Sequence, residues 1–496
     1  MTQETTPRAT ANRSTLPADS AFTREIGSGW ADRPESIPEV SAAAAAAAVR
    51  RRALSERHLG TRLVIPAGGL KQRSNDCDYR FRAHSAFTHL TGWGSEAVPD
   101  SVLVLEPSGT AHAATLYFRE RATREDAEFY ANPEIGEFWI GPRPSLAHVA
   151  GELGVETRHL RELFLDGDVP TILVREADPR MTEQVDRTRA RRSADGMDRA
   201  DELDGDALLE QDLSEMRLVK DDFEIGEIRA AVAATAKGFD DIIRELDRAA
   251  GHERGERIIE GAFFARARLE GNELGYETIA AAGPHACYLH WTRNDGPVVP
   301  GDLVLVDAGV EVDSLYTADI TRTLPVDGTF TPLQRQVYEA VRAAADAAFA
   351  VVKPGITFRM IHETAMQSIA ESVGAWGLLP CSVEEAVQPD GQQHRRWMVH
   401  GTSHHLGLDV HDCAKARREL YLDGVLEEGM VFTIEPGLYF QADDLTVPEE
   451  YRGIGVRIED NILVTADGAE NLSIAIPRTA DDVEAWMARV RGERRA

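Results

Sequence analysis

The chain is poor in cysteine: its 496 residues hold four, Cys77, Cys287, Cys381 and Cys413. They are widely spaced and form no CxxC pair, which argues against a disulfide framework and against a thiolate metal cluster. Cys287 and Cys413 stand close to histidines singled out below and read as small packed apolar groups. Long apolar runs are also missing, and nothing approaches the roughly 18 residues that a bilayer span needs. Positive charge is scarce, with 54 Lys and Arg against 83 Asp and Glu for a net −29. Nucleic acid and anionic membrane surfaces would be repelled, so neither is expected as a partner. The first forty residues lack the apolar core of a secretory signal, and with so little cysteine the expected location is cytoplasmic.

What is present divides the chain. Residues 1–40, rich in Thr, Ser, Pro, Ala and charge, are expected to form a mobile tail. The run Ala42 to Ala48, followed by Arg50 to Arg52, predicts a helix ending on cations that suit its dipole. It opens an expected α/β domain over 41–182. There Thr61 to Pro66, Ser101 to Leu105, Ala114 to Phe118 and Pro170 to Val174 are β-rich runs separated by turns. Residues 183–215, dominated by Arg, Asp and Glu, read as a charged helical connector with a solvated face. From 216 to 496 helices alternate with antiparallel hairpins, starting with a helix whose apolar positions are Ile225, Ile228, Val232 and Phe239. The fold class of that part is α+β.

Two hairpins in this last part carry acids where strands should be apolar. Leu303 to Val306 runs into Asp307, and Ile320 to Leu324 starts just after Asp319. A buried strand does not end in a carboxylate unless something offsets its desolvation. The midpoint of the pair is Asp313, which with Ser314 is good turn chemistry. A hairpin folded there sets Asp307 directly across from Asp319, with Cβ atoms roughly 5 Å apart. Facing buried carboxylates repel, so one holds a proton or both hold a cation, and a cation is the stronger reading. The pattern recurs in Val431-Phe432-Thr433-Ile434-Glu435-Pro436-Gly437 and in Val456 to Val464, which contains Glu459. Between the hairpins, His400, His404, His405 and His411 fall within twelve residues. Oxygen-rich ligation with an imidazole suits divalent manganese, cobalt, iron or zinc. Carboxylates in this number bridge two metals about 3.5–4 Å apart that activate a shared water. Residue chemistry therefore reaches a two-metal hydrolase.

The order of motifs resembles the pita-bread metallopeptidases, and among them the aminopeptidase P family, from about Ser74 to Glu484. The stretches that carry the likeness are VDAG…ADITRT, HGTSHHLGLDVHD, IEPGLY and YRGIGVRIEDNILVT, with Phe87 to Trp93 matching the family's N-terminal domain. The resemblance implies a pita-bread catalytic domain behind an N-terminal α/β domain of the creatinase and prolidase kind. It implies five metal ligands: Asp307 on one ion, His404 and Glu435 on the other, with Asp319 and Glu459 bridging. It implies two divalent ions per chain, manganese foremost, and a hydroxide between them as nucleophile. His290, His400 and His411 match active-site histidines, Glu435 matches a proton shuttle, and Arg457 and Tyr276 match residues that orient Asp307. In the family an aromatic often follows the ligand histidine. Here His405 follows, so His404 and His405 both stay open, with the Ser-His-x-Leu-Gly spacing favouring His404.

The implied reaction is release of an N-terminal residue from peptides with proline in second position, by a homo-oligomer (dimer or tetramer). Three other readings share much of the pattern. A prolidase has the same ligands but needs a cation, for which Arg452 and the arginines of the N-terminal domain are candidates, to cap a dipeptide's carboxylate. A methionine aminopeptidase lacks so long an N-terminal region. A non-catalytic pita-bread module that binds proteins would not need the intact ligand set.

Overall fold

The computed structural model describes residues 20–33, 35–75, 77–165, 169–194 and 200–495. The chain divides into two compact units between Leu213 and Ser214. Of the stretch expected as a tail, residues 1–19 lie outside the described residues, whereas Ser20–Ile26 is a helix. Trp30 packs edge-on against Phe129, so this part of the stretch is fastened to the first unit.

The first unit is built on a five-stranded sheet in the order Glu156–His159, Ala111–Phe118, Val102–Ser108, Arg62–Pro66 and Thr171–Leu173. Its three central strands are antiparallel and the outer pairs are parallel. Val64, Val102, Val104 and Leu173 are buried in one cluster with Met181 and Val185, which accounts for the β-branched runs in these strands. Ser41 caps the alanine-rich helix by accepting from the Ala44 N–H. That helix does not stop at its arginine run but continues to Arg57. Arg50 and Arg51 are buried and donate to the carbonyls of His89 (3.1 Å) and Leu90 (2.6 Å), so they satisfy the end of the helix Ser85–Thr91 rather than of their own.

The charged connector is likewise not all solvated. It forms the helices Pro179–Ala194 and Ala200–Glu215, and Arg189 on the first of them is 0% exposed. Its guanidinium holds Asp206 at 2.6 and 2.8 Å and the Thr171 carbonyl at 2.6 Å. A buried arginine is tolerable only when its donors are filled in this way.

In the second unit, the helix Asp222–Ala249 starts from a capping box made by Asp221 and Glu224. It shares an apolar core with strands of two three-stranded antiparallel sheets. One sheet orders Ile320–Pro325, Leu303–Ala308 and Ile279–Ala282, and the other orders Val431–Ile434, Asp460–Thr465 and Gly468–Asn471. The ribbon Gly437–Tyr439 with Gly455–Arg457 extends the second hairpin. Arg322, fully buried, ties the hairpins together by donating to the carbonyls of Glu459 (2.7 Å) and Ile476 (3.1 Å) and to Asp460 (2.7 Å).

The two carboxylate pairs sit differently in their ladders. Asp307 pairs with Thr321 and Ala308 with Ile320, so Asp319 is a diagonal neighbour of Asp307 and not its direct partner. The expected register is off by one residue on each side of the turn. A three-residue loop over 313–315 is closed by Val312 N–H to Tyr316 O at 2.9 Å, with Leu315 at φ 70°. The second pair is directly opposed. Ile434 pairs with Asp460 and Gly437 with Arg457 in a common register, and that register brings Glu435 opposite Glu459.

Candidate active site

The acids named from the sequence and all of its candidate histidines but His405 meet in one cavity of about 550 Å³. Its wall includes Tyr276, His290, Asp307, Asp319, His400, His404, His411, Glu435, Arg457 and Glu459. The four acids arrive on strands or strand ends and His404 on a segment laid along a strand, whereas Tyr276, His290, His400 and His411 come from turns and bends. Residues 402–406 run beside Val431–Ile434, with Thr433 N–H donating to His404 O (2.9 Å) and Leu406 N–H to Val431 O (3.1 Å). Neighbours in such an extended segment point to opposite sides, and this separates the two candidate histidines. His404 faces the cavity, its Nε2 3.2 Å from Asp319 and 3.7 Å from Glu435. His405 is 1% exposed and stacks on Phe358 at 4.8 Å, against Tyr421 and away from the acids.

Ligand atoms of Asp319, His404 and Glu459 all lie within 4.8 Å of one another. Burial, then the neighbouring Asp307 charge, holds the Asp319 carboxyl well above the usual carboxylate range. Burial and then Glu459 do the same to Glu435, and burial and then Asp319 and Asp307 do it to Glu459. These acids resist ionising together, and divalent cations among them would remove that penalty. The donors fit: carboxylate oxygens and one imidazole. His404 Nδ1 lies 3.2 Å from the His405 carbonyl, to which it donates in the neutral ring. Nε2 is then left with a free lone pair toward Asp319.

Donors from other elements orient these acids. The Tyr276 hydroxyl reaches Asp307 at 2.6 Å and Asp319 at 2.5 Å, and Arg457 holds the other oxygen of Asp307 at 2.5 Å. Burial works against the Arg457 charge, but Tyr439, Asp307 and the two glutamates outweigh it. The Thr321 hydroxyl donates to Glu459 at 2.7 Å.

The histidines differ in freedom. His290 and His411 are exposed in the cavity wall. The His411 ring stands edge-on to His404 at 4.3 Å. Partial enclosure by the cavity wall, then His404 and His290, push the pKa of His411 down to about 4. His400 has both ring nitrogens engaged, Nδ1 with the Gly401 carbonyl (2.6 Å) and Nε2 with the Tyr439 hydroxyl (2.8 Å). Burial, then Arg457, push it to about 3, so it stays neutral at neutral pH.

Several contributors were not named from the sequence. Tyr439 links His400 to Arg457, whose Nη1 is 3.2 Å from its hydroxyl. Its position four residues after Glu435, on the same strand face, was a usable signal. Asp412 anchors the histidine segment by accepting from Arg217 (2.8 Å) and Lys220 (3.2 Å), and no local pattern marks that contact. Burial opposes the Asp412 charge, but Arg217 and Lys220 outweigh it and hold the carboxyl well below its usual range. Arg452, the candidate cap for a dipeptide carboxylate, donates to the Val447 carbonyl at 3.1 Å and is not in the cavity wall.

Comparisons with known proteins agree with this site. Residues 226–466 match the profile of metallopeptidase family M24, and residues 47–166 match the aminopeptidase P N-terminal domain. The chain is 53% identical to Xaa-Pro aminopeptidase 1 of Streptomyces coelicolor over 470 residues, 94% of this chain and 91% of that one. It is 51% identical to Xaa-Pro aminopeptidase 2 of the same organism, over 94% of this chain and 95% of that one. Among solved structures, a variant of Escherichia coli aminopeptidase P in complex with substrate superimposes with a TM-score of 0.78 at 30% identity, covering 92% of this chain and all of that one. The fold is thus an aminopeptidase P N-terminal domain followed by a pita-bread catalytic domain, and the chain belongs to metallopeptidase family M24, on its aminopeptidase P branch.

Proposed function

We propose that this chain is a metal-dependent aminopeptidase that hydrolyses the bond between an N-terminal residue and a following proline. The observation that carries the reading is the convergence of Asp319, His404 and Glu459 in one cavity, in a chain 53% identical to an Xaa-Pro aminopeptidase. Asp307, Asp319, His404, Glu435 and Glu459 would hold two divalent ions, with manganese giving the highest activity. When bound, the ions supply a water acidic enough to act as nucleophile near neutral pH.

The chain's own residues do the rest. Tyr276 and Arg457 fix the direction of Asp307, and Tyr276 also fixes Asp319. Glu435, ionised once bound cations offset its burial and the neighbouring carboxylates, would take a proton from the water and pass it to the departing proline nitrogen. His290 and His411 offer N–H groups where charge grows on the carbonyl oxygen. His400, fastened to Tyr439 and Gly401, steadies this wall beside Glu435, whose carboxylate is 3.6 Å away.

An open far end of the cavity is supported by the position of Arg452, which donates to the Val447 carbonyl and does not line the cavity. Peptides extended beyond proline would then enter. The reading carries with it a cytoplasmic homo-oligomer, dimer or tetramer, supported by the paucity of cysteine and by the family likeness. No described helix is long and apolar enough to cross a membrane.

The test compares kcat/KM for Xaa-Pro-Xaa, Xaa-Ala-Xaa and Xaa-Pro substrates with manganese-loaded protein. Cleavage of the first at the Xaa-Pro bond, with poor turnover of the second, is the expected result. Activity confined to the dipeptide makes the protein a prolidase, and no turnover of any peptide makes it a binding module.

A further inference from the structure

Glu256 stands near the start of the helix Gly255–Glu270 and its side chain is 0% exposed. No arginine or lysine pairs with it in the described residues; instead its carboxylate is filled by four N–H donors. Oε1 accepts from the Ala282 backbone (2.9 Å) and from His285 Nδ1 (2.8 Å). Oε2 accepts from Trp291 Nε1 (2.9 Å) and from the Gly296 backbone (2.6 Å). The Glu256 N–H in turn donates to the Gly296 carbonyl at 3.2 Å.

All four donors belong to one segment, 282–296, which leaves the sheet at the end of Ile279–Ala282. That segment enters the cavity only through Leu289, His290 and Thr292. His290 is flanked directly by Trp291, whose ring is stacked on His285 at 3.9 Å while its indole N–H is bound by the carboxylate. The backbone on either side of His290 is thus drawn toward a single buried group. Gly296 can lie so close because it has no side chain: a Cβ there would meet His285 at 2.5 Å and Glu256 at 2.9 Å.

We propose that Glu256 is a positioning residue for His290, its four accepted hydrogen bonds setting where that imidazole stands in the active-site cavity. The inference rests on the reading that His290 assists peptide hydrolysis. The chemistry demands a carboxylate in particular. Each oxygen faces two N–H donors, so only an acceptor-only group satisfies all four. Glutamine would turn its NH₂ either against the Trp291 and Gly296 N–H groups or against that of Ala282, and aspartate would fall short by a methylene.

The test uses full-length manganese-loaded protein with Glu256→Gln, His290→Ala, the double variant and Trp291→Phe. Metal content, kcat and KM are measured for each. A ¹³C-labelled histidine spectrum is recorded in parallel, with the His290 signal identified as the one lost in His290→Ala. Glu256→Gln is expected to lower kcat about 10- to 100-fold, the range a displaced catalytic group produces, with unchanged metal content. The His290 signal shifts, while that of His148 in the first unit stays in place. In the His290→Ala background, Glu256→Gln adds little further loss, because both changes remove one contribution. Trp291→Phe, which deletes one donor and keeps an aromatic ring, gives a smaller loss in the same direction. It carries the test if Glu256→Gln does not fold.

Fully additive losses in kcat, or an unmoved His290 signal in both Glu256→Gln and Trp291→Phe, overturn the proposal. If His290→Ala itself keeps full activity, the catalytic reading of His290 has failed. The spectrum still decides whether Glu256 sets its position.

Discussion

The two carboxylate hairpins look alike in sequence and are wired differently. Asp307 and Asp319 are offset along their ladder, and the offset is bridged by one hydroxyl, Tyr276, with Arg457 on the outer oxygen. Glu435 and Glu459 come face to face in a regular register, and the donor they receive from a neighbouring strand is Thr321, on Glu459. Short side chains in an offset pair need a third group to bring them to a common point, whereas longer ones directly opposed reach it unaided. The aspartate pair is therefore preorganised by protein donors. The glutamate pair has fewer such donors, while burial and neighbouring carboxylates disfavour the ionised forms of Glu435 and Glu459 as they do that of Asp319.

The harshest way to break the comparison is to remove one member of each pair. Asp319→Asn and Glu459→Gln are both expected to abolish turnover of Xaa-Pro-Xaa peptides, because each is assigned to both ions. Retained activity in either, or full activity after exhaustive chelation, would sink the two-metal reading. Next in size is the histidine pair. His404→Ala is expected to empty the site as read by bound manganese. His405→Ala keeps its metal and loses about 3 kcal/mol of stability, the cost of a cavity under an aromatic stack. Metal loss in His405→Ala alone would reverse the assignment.

Removing the bridge sharpens the contrast. Tyr276→Phe is expected to lower activity about 10- to 100-fold, as the loss of a group orienting a metal ligand does. Thr321→Val, on the glutamate side, is expected to cost less than about tenfold. Equal effects would mean that the two pairs depend on their donors alike.

The smallest effect is a pH dependence of the melting temperature. Folded-state carboxyls of Asp319, Glu435 and Glu459 lie above their unfolded values, so in chelated protein the folded state binds more protons. Their contribution is present in full below the unfolded pKa and is lost as pH rises through the folded one. Metal replaces those protons. The gap in Tm between manganese-loaded and chelated protein therefore widens between pH 5 and 8, reaching about 5 to 10 °C. A gap that narrows with rising pH contradicts the assigned directions.

Much of the site was readable because it is strand-borne: acids at the ends of apolar runs are conspicuous, and all five assigned ligands line the cavity. The register of the first hairpin was not readable. Its loop holds a left-handed residue at Leu315, where a glycine would have announced the extra position. His404 and His405 are equivalent by composition and are separated only by the alternation of an edge segment whose partner lies some thirty residues on. Arg189 reads as surface charge until its partner Asp206, on the next helix, is known. Glu256 was invisible for a similar reason, since its four donors lie 26 to 40 residues away and none forms a motif with it.

Arg322 gives the site a history as well as a shape. It reaches from the first hairpin to carbonyls and a carboxylate 137 to 154 residues later. Contacts of such separation form late, after the entropy of closing a long loop has been met. A growing chain that has already made Asp307 and Asp319 still lacks Glu435, Glu459 and the carbonyls that would immobilise Arg322. The proposed cation site is thus among the last features to be completed, since its ligands come from both halves of the second unit.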